Sequence, residues 1–292
     1  MMHNFFIPIE ILKPWITKEN SGACKLWRKM WYDSLISCDI VNDCISVNFL
    51  SNFTNLSHLG IYANVDDVTF LKKIAMQLKS FYYIGDNFDD NILRRLTNLT
   101  SLNYNSKNVT NSGLVRMTQL SHLTLYYKCN ITCDTLRCLI NLTSLAVDGN
   151  NRTVLDCIYR SNTKLTNLYL YRNNITNSML SRFEHITTLR VVCCPKIWDK
   201  GLEKMTQLLS LELVDVEYVS DKSIEKLTNL TRLCVYGRNR VPIRSLNKLT
   251  QLQHLEIPDN FAHIRSALTL PNMATFVNAK CEDRKSRNHR EF

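Results

Sequence analysis

One phrase recurs along the chain at a nearly constant period. It reads L-x-x-L-x-L and stands in register at Leu99-x-x-Leu102-x-Tyr104, Leu120-x-x-Leu123-x-Leu125 and Leu142-x-x-Leu145-x-Val147. Its first position falls at Leu56, Leu78, Leu99, Leu120, Leu142, Leu165, Ile186, Leu208, Leu230, Leu252 and Met273. Successive anchors are about 22 residues apart, a period that marks a tandem array. The units of such an array cannot bury their apolar faces alone and must stack on their neighbours. That excludes most globular folds before any other property is weighed.

Each unit has three parts. The L-x-x-L-x-L run alternates apolar and polar residues as a half-buried strand does. A turn rich in Asn, Gly and Asp follows, with Asn64, Asn150, Asn173 and Asn260 in one slot and Cys194 replacing Asn in another unit. A side-chain amide there can bond backbone groups that a tight bend leaves open. The third part is an apolar pair spaced by three: Leu93/Leu96, Leu114/Met117, Leu136/Leu139, Leu180/Phe183, Leu202/Met205, Ile224/Leu227 and Leu246/Leu249. That spacing puts both side chains on one face of a single helical or 3₁₀ turn. Strands are therefore expected on one side and short turns on the other, with the closer-packed strands on the inside of a curve.

L-x-x-L-x-L-x-x-(N/C) resembles the leucine-rich repeat signature over roughly residues 50–280. The stretches IWDKGLEKMTQLLSLEL and VSDKSIEKLTNLTRLCV resemble the ITDxGLxxL variant seen in F-box-associated and some bacterial repeat proteins. The resemblance implies an α/β leucine-rich repeat solenoid, a horseshoe of about 11 repeats with a parallel concave sheet and helical or 3₁₀ turns on the convex side. Residues 50–279 form the array, 1–49 a helical cap or F-box-like segment, and 280–292 a basic tail. The unit at Leu142–Ser161 departs from the pattern, with Tyr159 and Asn162 replacing the second apolar pair. Leu35-x-x-Cys38-x-Ile40 sits one repeat length before Leu56, so a degenerate extra repeat begins there.

The N-terminal stretch carries a second resemblance. Pro8, Glu10, Ile11 and Leu12, followed by Leu26 and Trp27, resemble an F-box, which opens L-P-x-E-I-L and later carries a tryptophan. Pro14 falls where its first helix should continue, and the two halves stand closer together than in the family. The resemblance implies a substrate-recruiting subunit of a cullin–RING ubiquitin ligase, with those six residues facing the ligase's adaptor and the array holding the target. The alternative is that residues 5–35 cap the first repeat, with Trp27 and Trp31 covering its bare edge, and that the protein is a scaffold or inhibitor unrelated to ubiquitin.

With the leucines turned inward, the residues between them must face outward. These are His58, Tyr62, Tyr82, Asn103, His122, Tyr126, Asp148, Tyr169, Tyr171, Arg190, Glu212, Arg232, Tyr236, His254 and Glu256. Tyr and Arg are favoured interface anchors, which makes this row a candidate surface for a protein target. Lys and Arg exceed Asp and Glu by 36 − 26 = 10. That excess, with tyrosines able to stack on bases, supports a nucleic-acid-binding array as a third reading. Asp148, Glu212 and Glu256 break any continuous basic stripe, so nucleic acid ranks last among the partners.

No catalytic constellation emerges, and the chain reads as a non-enzyme. G-x-G-x-x-G after a strand, G-x-x-x-x-G-K-[ST] and G-x-S-x-G are all missing. His58, His122 and His254 recur at one repeat position, which marks a strand surface rather than a triad. Cys129, Cys133 and Cys138 come nearest to a metal site, but their spacing lacks a C-x-x-C knuckle, so neither metal nor cofactor is expected. No run is long enough to span a membrane, and MMHNFFIPIEILKPW has no secretion-signal pattern. The 11 cysteines, an odd number at irregular spacing, are then expected as reduced thiols in the cytoplasm or nucleus. Sequons such as Asn98, Asn141, Asn174 and Asn229 mostly fall in the repeated NLT or NIT and read as by-products of the repeat.

Overall fold

A computed structural model describes residues 33, 35–40, 47–62, 65, 68–126, 129, 131–149, 154–157, 164–237, 246–258 and 268–279. The chain forms two compact units, one of Met1–Leu123 with Lys128–Asn141 and one of Thr124–Tyr127 with Leu142–Phe292. The first four strands, all in the first unit, are β1 Ser37–Ile40, β2 His58–Ile61, β3 Ser80–Ile84 and β4 Ser101–Asn105, and β5 His122–Leu125 follows them. The second unit carries β6 Ser144–Asp148, β7 Asn167–Tyr171, β8 Thr188–Val192, β9 Ser210–Val214, β10 Arg232–Tyr236, β11 His254–Pro258 and β12 Thr275–Ala279. Within each unit strand order is chain order.

Within each unit the pairings are parallel and in register with the repeat. In the first, His58 stands opposite Ser37, Ser80 opposite His58 and Ser101 opposite Ser80. In the second, the row runs Ser144, Asn167, Thr188, Ser210, Arg232, His254, Thr275. Both rows advance by one repeat length per strand, the step of the leucine anchors. The expected parallel leucine-rich repeat sheet is therefore present, and β1 occupies the degenerate repeat anticipated at Cys38 and Ile40. Every anchor from Leu56 to Leu252 is 0 % exposed, whereas Met273 is half-buried. The apolar pairs are buried too, from Leu93 and Leu96 at 0 % to Leu246 at 3 %. Burying one such side chain is worth about 1.5–3 kcal/mol, so the leucine rows supply most of the driving force.

Side chains of successive repeats interlock at the turns that carry these pairs. Five of these turns are four-residue helices, Asp90–Leu93, Asn111–Leu114, Asn177–Leu180, Asp199–Leu202 and Asp221–Ile224, and a sixth, Cys133–Cys138, is six residues long. The Asp or Asn that opens a turn accepts hydrogen bonds from the residue capping the next one. Asn111 Oδ1 takes the Thr132 backbone N–H at 2.9 Å, and Asn177 Oδ1 takes that of Trp198 at 2.8 Å. Asp199 accepts from Ser220 twice, backbone and hydroxyl both at 2.7 Å, and from the Ser223 hydroxyl at 2.8 Å. Two residues further on, Thr135 and Ser223 place a hydroxyl that joins this network and Gly113 and Gly201 a glycine that makes room for it, while Ile92 and Met179 hold the slot in two other turns. A Cβ on Gly113 would lie 2.3 Å from Asp90 Oδ1, and one on Gly201 2.7 Å from Asn177 Oδ1. This accounts for both the D-x-G-L and the D-x-S-I forms of the phrase.

Burial raises the pKa of Asp90 and Asp199, but hydrogen bonds outweigh it: Ser112 and Thr110 hold Asp90, and Ser220 and Ser223 hold Asp199, below the ordinary value. A carboxylate with a depressed folded-state pKa stabilises the protein fully above its unfolded value, about 4, and that stability is lost as the pH falls through the lower folded value. Asp199→Ala is expected to cost about 2 kcal/mol in urea unfolding at neutral pH. Its deficit against the wild type should shrink below about pH 4, where the wild-type carboxyl protonates.

The sequon residues also have structural work. The side-chain amides of Asn98, Asn141 and Asn229 donate to the carbonyls of Met76, Thr118 and Thr206, one repeat earlier, and Asn272, outside any sequon, does the same to Thr250. The residue after each strand takes a left-handed conformation at Gly149, Arg172, Cys193, Asp215 and Gly237, where the chain leaves the sheet. Asn173, 1 % exposed, closes that bend by donating to the Gly149 carbonyl and accepting from the Ile175 N–H. Cys194 fills the matching slot, its thiol 3.7 Å from the Leu170 carbonyl. The expectation of reduced thiols holds for Cys38, Cys129, Cys138, Cys193, Cys194 and Cys234 and fails for Cys133 and Cys157, which are disulfide-bonded. Asn64, Asn150, Asn260, Tyr159, Asn162, the F-box-like residues Pro8, Glu10, Ile11, Leu12, Leu26 and Trp27, and the tail 280–292 lie outside the described residues.

Candidate partner-binding face

The strand residues between the leucines form rows on the side of each sheet turned away from the leucine core. In the first unit His58 and His122 are exposed, each with Nδ1 held by the preceding serine hydroxyl, at 2.7 Å from Ser57 and 2.8 Å from Ser121. Tyr62, half-buried, stacks on Tyr82 at 4.3 Å between centroids, which leaves Tyr82 only 6 % exposed. Asn103, on the next strand in the row of Tyr82, is equally covered.

The second unit carries the denser part of the face. Tyr126, Tyr171, Arg190, Tyr236 and Glu256 are buried, while Tyr169, Glu212 and His254 are half-buried and Arg232 is exposed. The reason is a second apolar layer: Ala146, Tyr171, Val192, Val214, Cys234 and Tyr236 pack together, with Tyr169 against them. Parallel strands lie about 4.8 Å apart, so bulky side chains at matching positions cover one another even on an outward face. The sequence-derived rows are thus brought together on one side of the strands, but over half the residues named in this unit form a floor rather than an open surface.

Charge is built into that floor. Arg190 and Glu212 are directly opposed on β8 and β9, with Nε 3.2 Å from Oε1, and Arg190 lies over the Tyr171 ring at 5.6 Å. On the next strands Cys234 faces both Glu212 and Glu256. Arg172 clasps Asp148 with two guanidinium nitrogens, one to each carboxylate oxygen. Desolvation is the main cause raising the Tyr171 hydroxyl well above the ordinary phenol value.

An exposed aromatic pair went unnoticed in the sequence. Trp198 and Tyr218 are 53 % and 49 % exposed, joined by a parallel bridge, with ring centroids 5.5 Å apart. Trp198 immediately precedes the turn Asp199–Leu202, whereas Tyr218 stands three residues before the turn Asp221–Ile224, so the two occupy different repeat positions and no recurring slot in the sequence pairs them.

No protein-family model matches the sequence, and no curated protein does. Solved structures do. An internalin from Listeria monocytogenes is similar at 18 % identity, over 86 % of this chain and 88 % of that one, with a TM-score of 0.51. A leucine-rich repeat protein of Leptospira interrogans is similar at 17 % identity over 78 % of this chain, with a TM-score of 0.50, and the chain spans 62 % of its length. These likenesses establish the leucine-rich repeat fold. Among the described residues no helix is long and apolar enough to cross a membrane.

Proposed function

We propose that the protein is a non-catalytic interaction module that holds a protein target on the outward face of its strands. The observation that carries this is the layered build of the second unit's face: Tyr169 packs against a floor of Tyr171, Val192, Val214 and Tyr236, and the exposed Arg232 opens β10 two residues before Cys234 of the same floor. A floor of that kind fixes the side chains above it, so little conformational entropy is lost when a partner docks. Affinity capture with wild-type protein and with Tyr169→Ser and Arg232→Ser variants tests it. Each substitution is expected to weaken retention of the wild-type partner about tenfold or more, equal to ~1.4 kcal/mol, with cooperative unfolding retained in both variants and the melting temperature unchanged in Arg232→Ser. Retention unchanged in both variants removes this face from consideration.

The more specific reading is a substrate-recruiting subunit of a cullin–RING ubiquitin ligase, acting in the cytoplasm or nucleus. It rests on the F-box-like residues Pro8, Glu10, Ile11, Leu12, Leu26 and Trp27. Its effect would be proximity, by raising the target's effective concentration near the transferring enzyme. The disulfide-bonded Cys133 and Cys157 favour the second reading, a scaffold or inhibitor in an oxidising compartment. Purified ligase adaptor separates the two: capture by the full chain that is lost on deleting residues 1–35 supports recruitment, and no capture by either supports the scaffold.

A further inference from the structure

We propose that Cys234, His254 and Glu256 form a binding site for a divalent transition-metal ion of zinc's class, independent of any partner on the same face. The three donors come from two adjacent strands and three chemical types. Cys234 on β10 is the direct cross-strand partner of Glu256 on β11, and His254 precedes Glu256 by two residues, so all three point to the same side of the sheet. Cys234 Sγ lies 3.8 Å from Glu256 Oε2, and His254 Nε2 lies 3.7 Å from the same oxygen. One donor atom from each residue can be chosen so that all lie within 4.8 Å of one another.

Those separations are the ones a shared ion requires. With Zn–S near 2.3 Å and Zn–N and Zn–O near 2.0–2.2 Å, the edges of a tetrahedron run to about 3.3–3.6 Å. Two of the three edges therefore need to close by a few tenths of an ångström, and the third, within 4.8 Å, by about an ångström at most, a shift that side-chain rotation supplies. Burial matches this use: Cys234 is 0 % and Glu256 4 % exposed, and His254 Nε2 has no accessible surface and no hydrogen bond. Buried charged groups are normally paired or coordinate metals, and strands hold ligands more rigidly than loops. Glu212, which faces Cys234 from β9, is engaged by Arg190 at 3.2 Å, so the fourth position falls to water. A sulfur, imidazole and carboxylate set selects zinc over magnesium or calcium, which take oxygen donors.

Without metal, burial pushes the Cys234 thiol up to about 11; the Arg232 charge pulls it down, while Glu212 and Glu256 add to the rise. The thiol is then neutral at pH 7, and coordination releases its proton to solvent as the sulfur–metal bond forms. The test uses the full chain stripped with chelator and titrated with cobalt(II) chloride. One equivalent is expected to produce near-ultraviolet sulfur-to-cobalt charge transfer with tetrahedral visible bands, all displaced by zinc. Cys234→Ser is expected to abolish the charge-transfer absorption, and His254→Gln, at a half-buried position, to weaken cobalt binding at least tenfold. Should Cys234→Ser fail to fold, His254→Gln decides alone. Failure to take up one equivalent, undiminished charge transfer in Cys234→Ser, or unchanged affinity in His254→Gln overturns the site.

Discussion

Arg190→Ala is expected to destabilise the protein by about 3–5 kcal/mol in denaturant unfolding, more than any other single charge removal on the strand face. Arg190 and Glu212 have side-chain exposures of 7 % and 16 %, and their 3.2 Å contact lies in the packed floor of the second unit. Two groups taken out of water repay their desolvation only while both are present. Truncating the arginine takes from Glu212 its 3.2 Å counter-charge beside Cys234, and it also removes the guanidinium from over the Tyr171 ring. The double variant Arg190→Met with Glu212→Leu keeps the volume and removes both charges. It is expected to recover most of the loss, because apolar replacement of a buried pair is often neutral or better. Raising the salt concentration should change the wild-type stability little, since the pair is shielded from solvent ions. A cost below about 1 kcal/mol for Arg190→Ala, the range of exposed pairs, would mean that the floor is open to water.

Leu211→Ala is expected to cost about 3–5 kcal/mol, through lost burial and the cavity left among neighbours that cannot fully collapse. Leu211 is 0 % exposed in the middle of β9, paired on both sides with Leu189 and Leu233, which are buried as well. The leucine two residues earlier makes the control. Leu209 is 46 % exposed, and Leu209→Ala should change stability by less than about 0.5 kcal/mol. The pair of measurements separates position from composition: Leu211 lies within β9 on its buried side, and Leu209 just before the strand begins, exposed. The reverse order, with Leu209→Ala the costlier of the two, would place the array one residue out of register, which reverses every inward and outward assignment in a strand.

The leucine rows were legible because a side chain that returns once per repeat can be buried only if its copies stack, and the strand pairings reproduce that same step. Asp199 and Gly201 were legible as a phrase but not as a mechanism, since a carboxylate reaching the next repeat's cap is invisible until the turns are placed side by side. The outward rows were read correctly for side and poorly for exposure. Alternation tells which way Tyr171 and Tyr236 point, but says nothing of how large side chains on adjacent strands shelter one another. Val192 and Val214, apolar at outward positions, were the available sign of that second layer. Cys234, His254 and Glu256 lay far apart as a motif because their convergence depends on a cross-strand partner, and a search for C-x-x-C spacing looks along the chain only.

The central claim is that a leucine interior with the period of the repeat holds every unit together. Native-state hydrogen exchange read by peptide mass spectrometry tests it most directly. The account predicts protection that recurs once per repeat, with the amides of Ser210–Val214 and Arg232–Tyr236 opening only with global unfolding. Fast exchange in those strands, or protection in long blocks without that period, would contradict it.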